Sequence, residues 1–417
     1  MNDIIPIQAR NQISINALKV LSRLNRHGYQ AYLVGGSVRD MILGRAPKDF
    51  DIATDAHPED VKSLFKNSRL IGRRFRIVHV RFGREIIEVA TFRAAWSENQ
   101  REQSENGMLL ADNIYGTLEE DVFRRDFSIN ALYYSPDTGD VIDLVGGVDD
   151  IKAKKIRLLG DPENRYREDP ARMLRAIRFK SKLDFDIDRQ AGEPMHQLGY
   201  LLQDLSTSRL FEEVQKLFMT GHALYAFNEM LSYDLFGWLF PDSRRAMDST
   251  PAEKLIQVAL KSTDQRIANE LPVTPAFVYA AILWYPFVEE KKKLEAEGVS
   301  YAEATMEASA KTIARQQLFT SIPRRFTSVM REIWYLQFRL LVRRRRKPDA
   351  LLAHKRFRAA YDFLLIREEV GEKLDNSGEW WTRYQEADAA QRQIMKQSGK
   401  PGRRRRRKHQ GTVTSSL

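Results

Sequence analysis

The sequence predicts an α+β protein: a mixed or antiparallel sheet with helices in the first part of the chain, and helices alone behind it. Three observations predict this. Apolar runs of strand length crowd residues 31–145, helical periodicity takes over from Asp169, and the chain ends in a basic stretch flanked by Gly, Ser and Thr.

Residues 11–27 carry Ile13, Ala17, Leu18, Leu21 and Leu24 at helical spacing and stop before Gly28, which predicts an amphipathic helix. Then come "AYLVGG", "DFDIAT", "RIVHVRF", "EIIEVATF", "ALYYS" and "VIDLVGG", each alternating or continuously apolar, with helices such as 58–65 between them. They read as strands of one sheet. From "DPARMLRAIRFKSKL" through "SRLFEEVQKLFM", "HALYAFNEMLSY" and "TPAFVYAAILWY", helix follows helix with no convincing strand, and the join falls near "LLGDPENRYRED". The expected division is a head at 1–155, a helical neck at 156–245, a helical body at 246–395 and a basic tail at 396–417. That tail, with Lys400, Arg403 to Arg407 and Lys408 and no acid, is expected to be disordered.

The formal charge of +11 is partly a property of residues 400–417, which hold seven of the excess positive charges. A basic balance favours polyanionic partners, nucleic acid above membrane surface, because neutralising phosphates releases counterions. With no cysteine, neither disulfides nor cysteine-ligated zinc holds the fold. The most apolar run, "AFVYAAILWYPFV", is too short to span a bilayer and contains Pro286, so it reads as a buried helix. No secretory signal opens the sequence, and a cytoplasmic protein is expected.

The chemistry concentrates in "AYLVGGSVRDMILGRAPKDFDIAT". Asp49 and Asp51 stand two apart, and on a strand that spacing points both carboxylates to one face. Adjacent carboxylates repel unless a cation lies between them, and hard oxygen donors suit Mg²⁺, which takes one or two carboxylates plus substrate phosphates. A solvated strand end is the alternative. Gly35-Gly36-Ser37 follows a strand and opens a helix, where backbone N–H groups form an anion site, although Ser37 and Asp40 also fit a simple capping signal. The turn is neither a Walker loop nor a dinucleotide fingerprint. A phosphate cradle beside a carboxylate pair suggests nucleotidyl or phosphoryl transfer by two metal ions.

Asp126, in "RRDFSINAL", supplies a third carboxylate for metal or ribose, with Arg124 or Arg125 to neutralise triphosphate oxygens; a surface ion-pair cluster is the bland reading. Glu88 is a further carboxylate, or an edge-strand residue paired with Arg93. In "REDPARMLRAIRF" Asp169 is the expected N-cap and Pro170 the first helical residue, with Arg172, Arg175 and Arg178 on one side of the helix. That side is either a solvated basic face or a base reader. In the second case a carboxylate accepts from an exocyclic amino group while a guanidinium donates to a ring nitrogen, which suits adenine or cytosine.

"LVGGSVRDMILGRAPKDFDI", "RRDFSINAL" and "REDPARMLRAIRF", in this order, resemble the class II nucleotidyltransferases, which comprise bacterial poly(A) polymerases and CCA-adding enzymes. The resemblance covers roughly residues 15–240. "LIGRRFRIVHVRFG" at 70–83, "RLFEEVQKLF" at 209–218, the helical stretch around "RRRRK…HKRFRAAYDFLLIRE" and the basic tail look like the poly(A) polymerase branch. Ser37 stands where a glycine or alanine is common, and Ser128 where threonine is usual.

The resemblance implies template-independent addition of AMP from ATP to RNA 3′ ends, in the service of RNA polyadenylation and mRNA turnover. It makes Asp49 and Asp51 the metal-binding carboxylates, for Mg²⁺ or Mn²⁺, with Asp126 completing the catalytic set. Gly35, Gly36 and Arg39 would surround the triphosphate and Arg125 the nucleotide. Asp169, Arg172 and Arg175 would select the base from the neck, while body and tail hold single-stranded RNA. The rivals are a CCA-adding enzyme of the same fold and an RNA-binding protein on a decayed transferase scaffold.

Overall fold

The computed structural model describes residues 11–72, 76–94, 114–343 and 347–398, which fall into two compact units. The first gathers the described residues up to Ser249 with Leu260–Val273 and Thr312–Ile322; the second holds Thr250–Ala259, Thr274–Lys311 and the described residues from Pro323 on. The expected basic tail at 396–417 lies almost wholly outside the described residues.

The first unit opens with helix α1 (Ile15–Arg26), capped by Ser14, whose hydroxyl accepts from Asn16 N at 3.1 Å. Its buried face is Ala17, Val20, Leu21 and Leu24: Val20 joins the expected stripe, and Leu18 is exposed instead. Gly28 beyond it has a φ of +85°, the left-handed conformation that ends helices.

A seven-stranded sheet follows, built from β1 (Ala31–Val34), β2 (Asp51–Thr54), β3 (Ser68–Ile71), β4 (Ile77–Phe82), β5 (Glu85–Thr91), β6 (Tyr133–Tyr134) and β7 (Val141–Ile142). Its order is β3-β4-β5-β2-β1-β6-β7, and it is mixed: β2 and β5 run parallel, the other neighbours antiparallel. The six apolar runs all enter it. Strand β3 was not among them because Ser68 and Arg69 give it no apolar period. Alternation buries Val78 and Val80 on β4 and Ile87 and Val89 on β5, all at 1% exposure or less, which fixes the register of these strands.

Helix α2 (Gly36–Ile42) leads from β1 toward β2, and α3 (Pro58–Leu64) follows β2. Helix α4 (Leu118–Arg124) starts at a capping box: Thr117 Oγ1 accepts from Glu120 N, and Glu120 Oε2 accepts from Thr117 N. Its Leu118 and Val122 pack with Val34, Ala53, Phe92 and Tyr133 into one apolar cluster.

Beyond α5 (Gly147–Lys152) the chain forms α6 (Pro162–Glu168) and α7 (Ala171–Leu183), then α8 (Arg189–Leu198) and α9 (Thr207–Phe218). A parallel ladder of two residues each, β8 (Lys155–Ile156) with β9 (Asp186–Ile187), corrects the expectation that no strand occurs after Asp169; strands this short leave no period to read.

The second unit is helical. The run "AFVYAAILWYPFV" is buried, as expected, but it is divided at Leu283 between helices Pro275–Ile282 and Trp284–Ala296. Phe287 stacks on Trp334 with ring centroids 4.6 Å apart. Arg367 lies over Trp284 and is held by Glu372 and Gln337, so its buried charge is paired. Among the described residues no helix is long and apolar enough to cross a membrane.

Candidate active site

Sheet register brings the glycine turn and the aspartates together. Val34, the last residue of β1, pairs with Asp51, the first of β2, so the Gly35-Gly36 turn leaves the sheet beside the Asp51 carboxylate. Asp49 lies just before the strand rather than on it, and the expected strand-face pairing therefore becomes a loop residue next to a strand residue. Gly35 has a φ of +76°, which only glycine adopts without strain, and its N–H donates to Leu132 O at 3.2 Å.

Ser37 does not cap α2. It lies inside the helix, and its hydroxyl donates to Val34 O at 3.1 Å. Arg39 is buried at 3% exposure; its Nε and Nη2 donate to Asp40 and its Nη1 to Asn130 Oδ1 at 2.7 Å. The guanidinium ties the start of α2 to the turn at Ser128–Asn130, directly behind the glycines.

Glu88 is not an edge residue. It sits on β5 between β4 and β2, opposite Asp51 in register, and its carboxylate meets His79 Nε2 at 3.0 Å, not Arg93. Its charge reaches Asp51. The Asp51 carboxyl is pushed up to about 6, first by desolvation and then by Glu88; Arg125 opposes this, and Asp49 adds repulsion. A strand end with like charges and too few counter-charges fits a cation held by oxygen donors. Among the described residues no group of three or more His, Asp or Glu side chains is placed to hold a metal, so ligands beyond Asp49 and Asp51 would have to come from substrate or water.

Beside this lies a cleft of about 600 Å³ lined by Arg125, Asp126, Asp169, Arg172 and Arg175, together with Arg209 and Glu213 of α9. Here most charges are paired. Arg125 donates from Nε to Tyr133 Oη at 2.7 Å and from Nη2 to Asp121 Oδ2 at 2.9 Å, and the Tyr133 hydroxyl donates to the same Asp121 oxygen. Burial works against the Arg125 charge, but Tyr133 and Asp121 outweigh it and hold the pKa above the ordinary value. Arg125 also links the two regions: its Nη1 lies 3.9 Å from where a Cβ on Gly35 would stand.

Asp126 Oδ1 accepts from Phe127 N at 2.8 Å, and Oδ2 faces Arg175 Nη2 at 2.5 Å. Arg175, with Phe127 N and Arg172, holds the carboxyl below its usual range despite its burial. Asp169 sits between α6 and α7, one residue further from α7 than an N-cap. Its Oδ1 accepts from Ala171 N at 3.3 Å, and its Oδ2 takes Arg209 Nη2 at 2.8 Å. Arg209 and Arg172 keep it ionised against burial. Arg172 donates to Arg165 O at 2.5 Å and to Glu168 Oε2 at 3.2 Å.

Four contributors were missed from the sequence: Asp121, Tyr133, Asn130 and Arg165. Asp121, four residues before the expected Arg125, gave a readable signal, whereas Tyr133 and Asn130 gave none beyond lying in "SINALYY". Arg165 donates to the carbonyls of both Arg124 and Arg125 at 2.6 Å and so fastens α6 behind them. Burial and the surrounding arginines, Arg93 foremost, press Arg124 down to about 9, which marks an electropositive wall of the cleft.

The mixed sheet and the helical remainder place the chain among nucleotidyltransferases. A Poly A polymerase head domain matches residues 31–157, a probable RNA and SrmB binding site of polymerase A matches 184–247, and a polymerase A arginine-rich C-terminus matches 297–412. Poly(A) polymerase I of Escherichia coli O6:H1 is 47% identical over 388 residues, 90% of this chain and 83% of that protein; the Haemophilus influenzae enzyme is 44% identical over 92% and 87%. The CCA-adding enzyme of Bacillus stearothermophilus, solved in complex with CTP, superposes with a TM-score of 0.51 at 26% identity, covering 92% of this chain and 87% of that one. The chain belongs to the poly(A) polymerase family.

Proposed function

We propose that this nucleotidyltransferase adds AMP from ATP, without a template, to the 3′ end of single-stranded RNA. Similarity to poly(A) polymerase I along nine-tenths of the chain, arginine-rich C-terminus included, carries the reading.

Asp49 and Asp51 would hold Mg²⁺, which when bound supplies Lewis acidity at the 3′-hydroxyl and at the leaving pyrophosphate. Arg125 is locked by Asp121 and Tyr133 before substrate arrives, so its charge is preorganised toward the triphosphate beside the Gly35-Gly36 turn. Arg39, engaged by Asp40 and Asn130, would shape that turn from behind. Asp126 holds Arg175 on the cleft wall. Asp169, kept ionised by Arg209 and Arg172, would accept from the adenine amino group while Arg172 donates to a ring nitrogen.

The test is to incubate the purified chain and Mg²⁺ with ATP or CTP, offering either an unstructured RNA or a tRNA lacking its 3′ end. Long A-only tails on the unstructured RNA are the expected outcome. Addition of two C residues and one A to the tRNA, then arrest, would replace this reading with CCA addition; absence of any pyrophosphate release would favour a non-catalytic RNA-binding role.

A further inference from the structure

The cations of the first unit fall into two sets. Arg125, Arg165, Arg172, Arg175 and Arg209 each face a carboxylate partner. Arg178, Lys182 and Lys48 do not: among the described residues none of the three makes a hydrogen bond or an ion pair.

Arg178 is the most constrained of these. Its guanidinium carbon stands 4.7 Å from the centroid of the Phe179 ring, and its Nε is buried without a hydrogen-bond partner. Arg39 and Arg175 face the same ring at 5.5 and 5.9 Å, but Asp40 and Asn130 satisfy the first and Asp126 the second. Three guanidiniums therefore surround one phenyl ring, and one of them lacks an anion. Burial and then Arg175 hold Arg178 below its ordinary pKa, although Glu213 and Asp126 partly compensate.

Arg175, Arg178 and Lys182 share one side of α7, spaced three and four apart. Arg175 lines the nucleotide cleft, whereas Arg178 and Lys182 lie outside its lining. Burial holds Lys182 below its ordinary pKa; the Asp40 carboxylate opposes this, and Arg39, Arg178 and Lys48 add repulsion. Lys48 precedes Asp49 in the chain and is exposed. The row starts at the cleft with Arg175, and Lys48 lies on the loop that carries Asp49.

We infer that Arg178, Lys182 and Lys48 form a track for the phosphodiester backbone of RNA next to its 3′ end. The inference rests on the poly(A) polymerase reading for the identity of the polymer. A triphosphate would call for cations converging on one point; these are spread along a helix and a loop, and the two lysines are solvent-exposed point charges suited to successive phosphates. Phe179 fixes the inner guanidinium so that little ordering remains when a phosphate arrives.

The experiment uses the full chain and an unstructured single-stranded RNA oligonucleotide. Binding is measured over a salt series without ATP, and AMP incorporation with each substrate varied. Lys48→Ala/Lys182→Ala is expected to raise the RNA Kd and the RNA KM about tenfold. It should also flatten log K against log salt by about 0.7 for each lost phosphate contact, with the KM for ATP unchanged. Arg178→Gln should act in the same direction; should it fail to fold, the two exposed lysines carry the test. An unchanged salt slope, or a raised KM for ATP with that for RNA unaltered, would overturn the track. Because binding needs no turnover, a wild type that shows the track but adds no AMP would refute the poly(A) polymerase reading and leave the track standing.

Discussion

Two charged regions lie side by side in the first unit and are built on opposite rules. In the cleft every charge assigned a part has a partner: Arg125 with Asp121 and Tyr133, Asp126 with Arg175, Asp169 with Arg209. At the start of β2 Asp49 and Asp51 bring like charges together, with Glu88 of β5, itself met by His79, opposite Asp51, and the Asp51 carboxyl is driven up to about 6. The paired region is rigid before substrate arrives, which is what electrostatic preorganisation requires. The unpaired region is costly to the protein alone and is repaid only by a cation. On the proposed reading, stability belongs to the first and binding of an ion to the second.

That contrast can be broken from either side. On the paired side the largest effect is expected from Arg125→Ala, which removes a fixed charge from the cleft and leaves Asp121 and Tyr133 without their guanidinium; kcat should fall about 10² to 10³-fold. Steady-state incorporation measures this, and a change confined to the KM for RNA would contradict it. Next comes Arg175→Ala, which strips the counter-charge from Asp126. Unfolding in denaturant should show a loss of about 2–3 kcal/mol, less than for a fully buried pair because solvent reaches the arginine. The smallest effect has the opposite sign. Asp51→Asn abolishes a repulsion and should raise stability in chelator by about 1 kcal/mol, discounted for the exposed side chain, or about 2 °C in Tm. A lower Tm would mean that Asp51 is paired in the folded protein.

The same contrast explains how much was legible in the sequence. The six apolar runs gave the strands because alternation is a local property, and Asp49 and Asp51 were found because chain spacing brings them together. Glu88 was left open between a further carboxylate and an edge residue because strand order, with β5 set beside β2, is not local. Arg209 was noted only as part of "RLFEEVQKLF", since its partner Asp169 lies forty residues earlier and no periodicity links them. Ser37 shows the converse: its spacing to Asp40 suggested a cap, but the glycine turn starts the helix earlier and turns the hydroxyl back to Val34. Motifs whose parts are near in sequence were readable; the pairing that orders them came from the fold.

The most direct test of the division between the two regions compares wild type with Asp51→Ala in one preparation. Mg²⁺-dependent pyrophosphate release from ATP on an RNA primer is measured, with the RNA Kd determined in parallel. Pyrophosphate release should fall by about 10³-fold, with the Kd for RNA unchanged. Retained release, or an equal loss of RNA binding, would contradict the assignment of Asp51 to the metal.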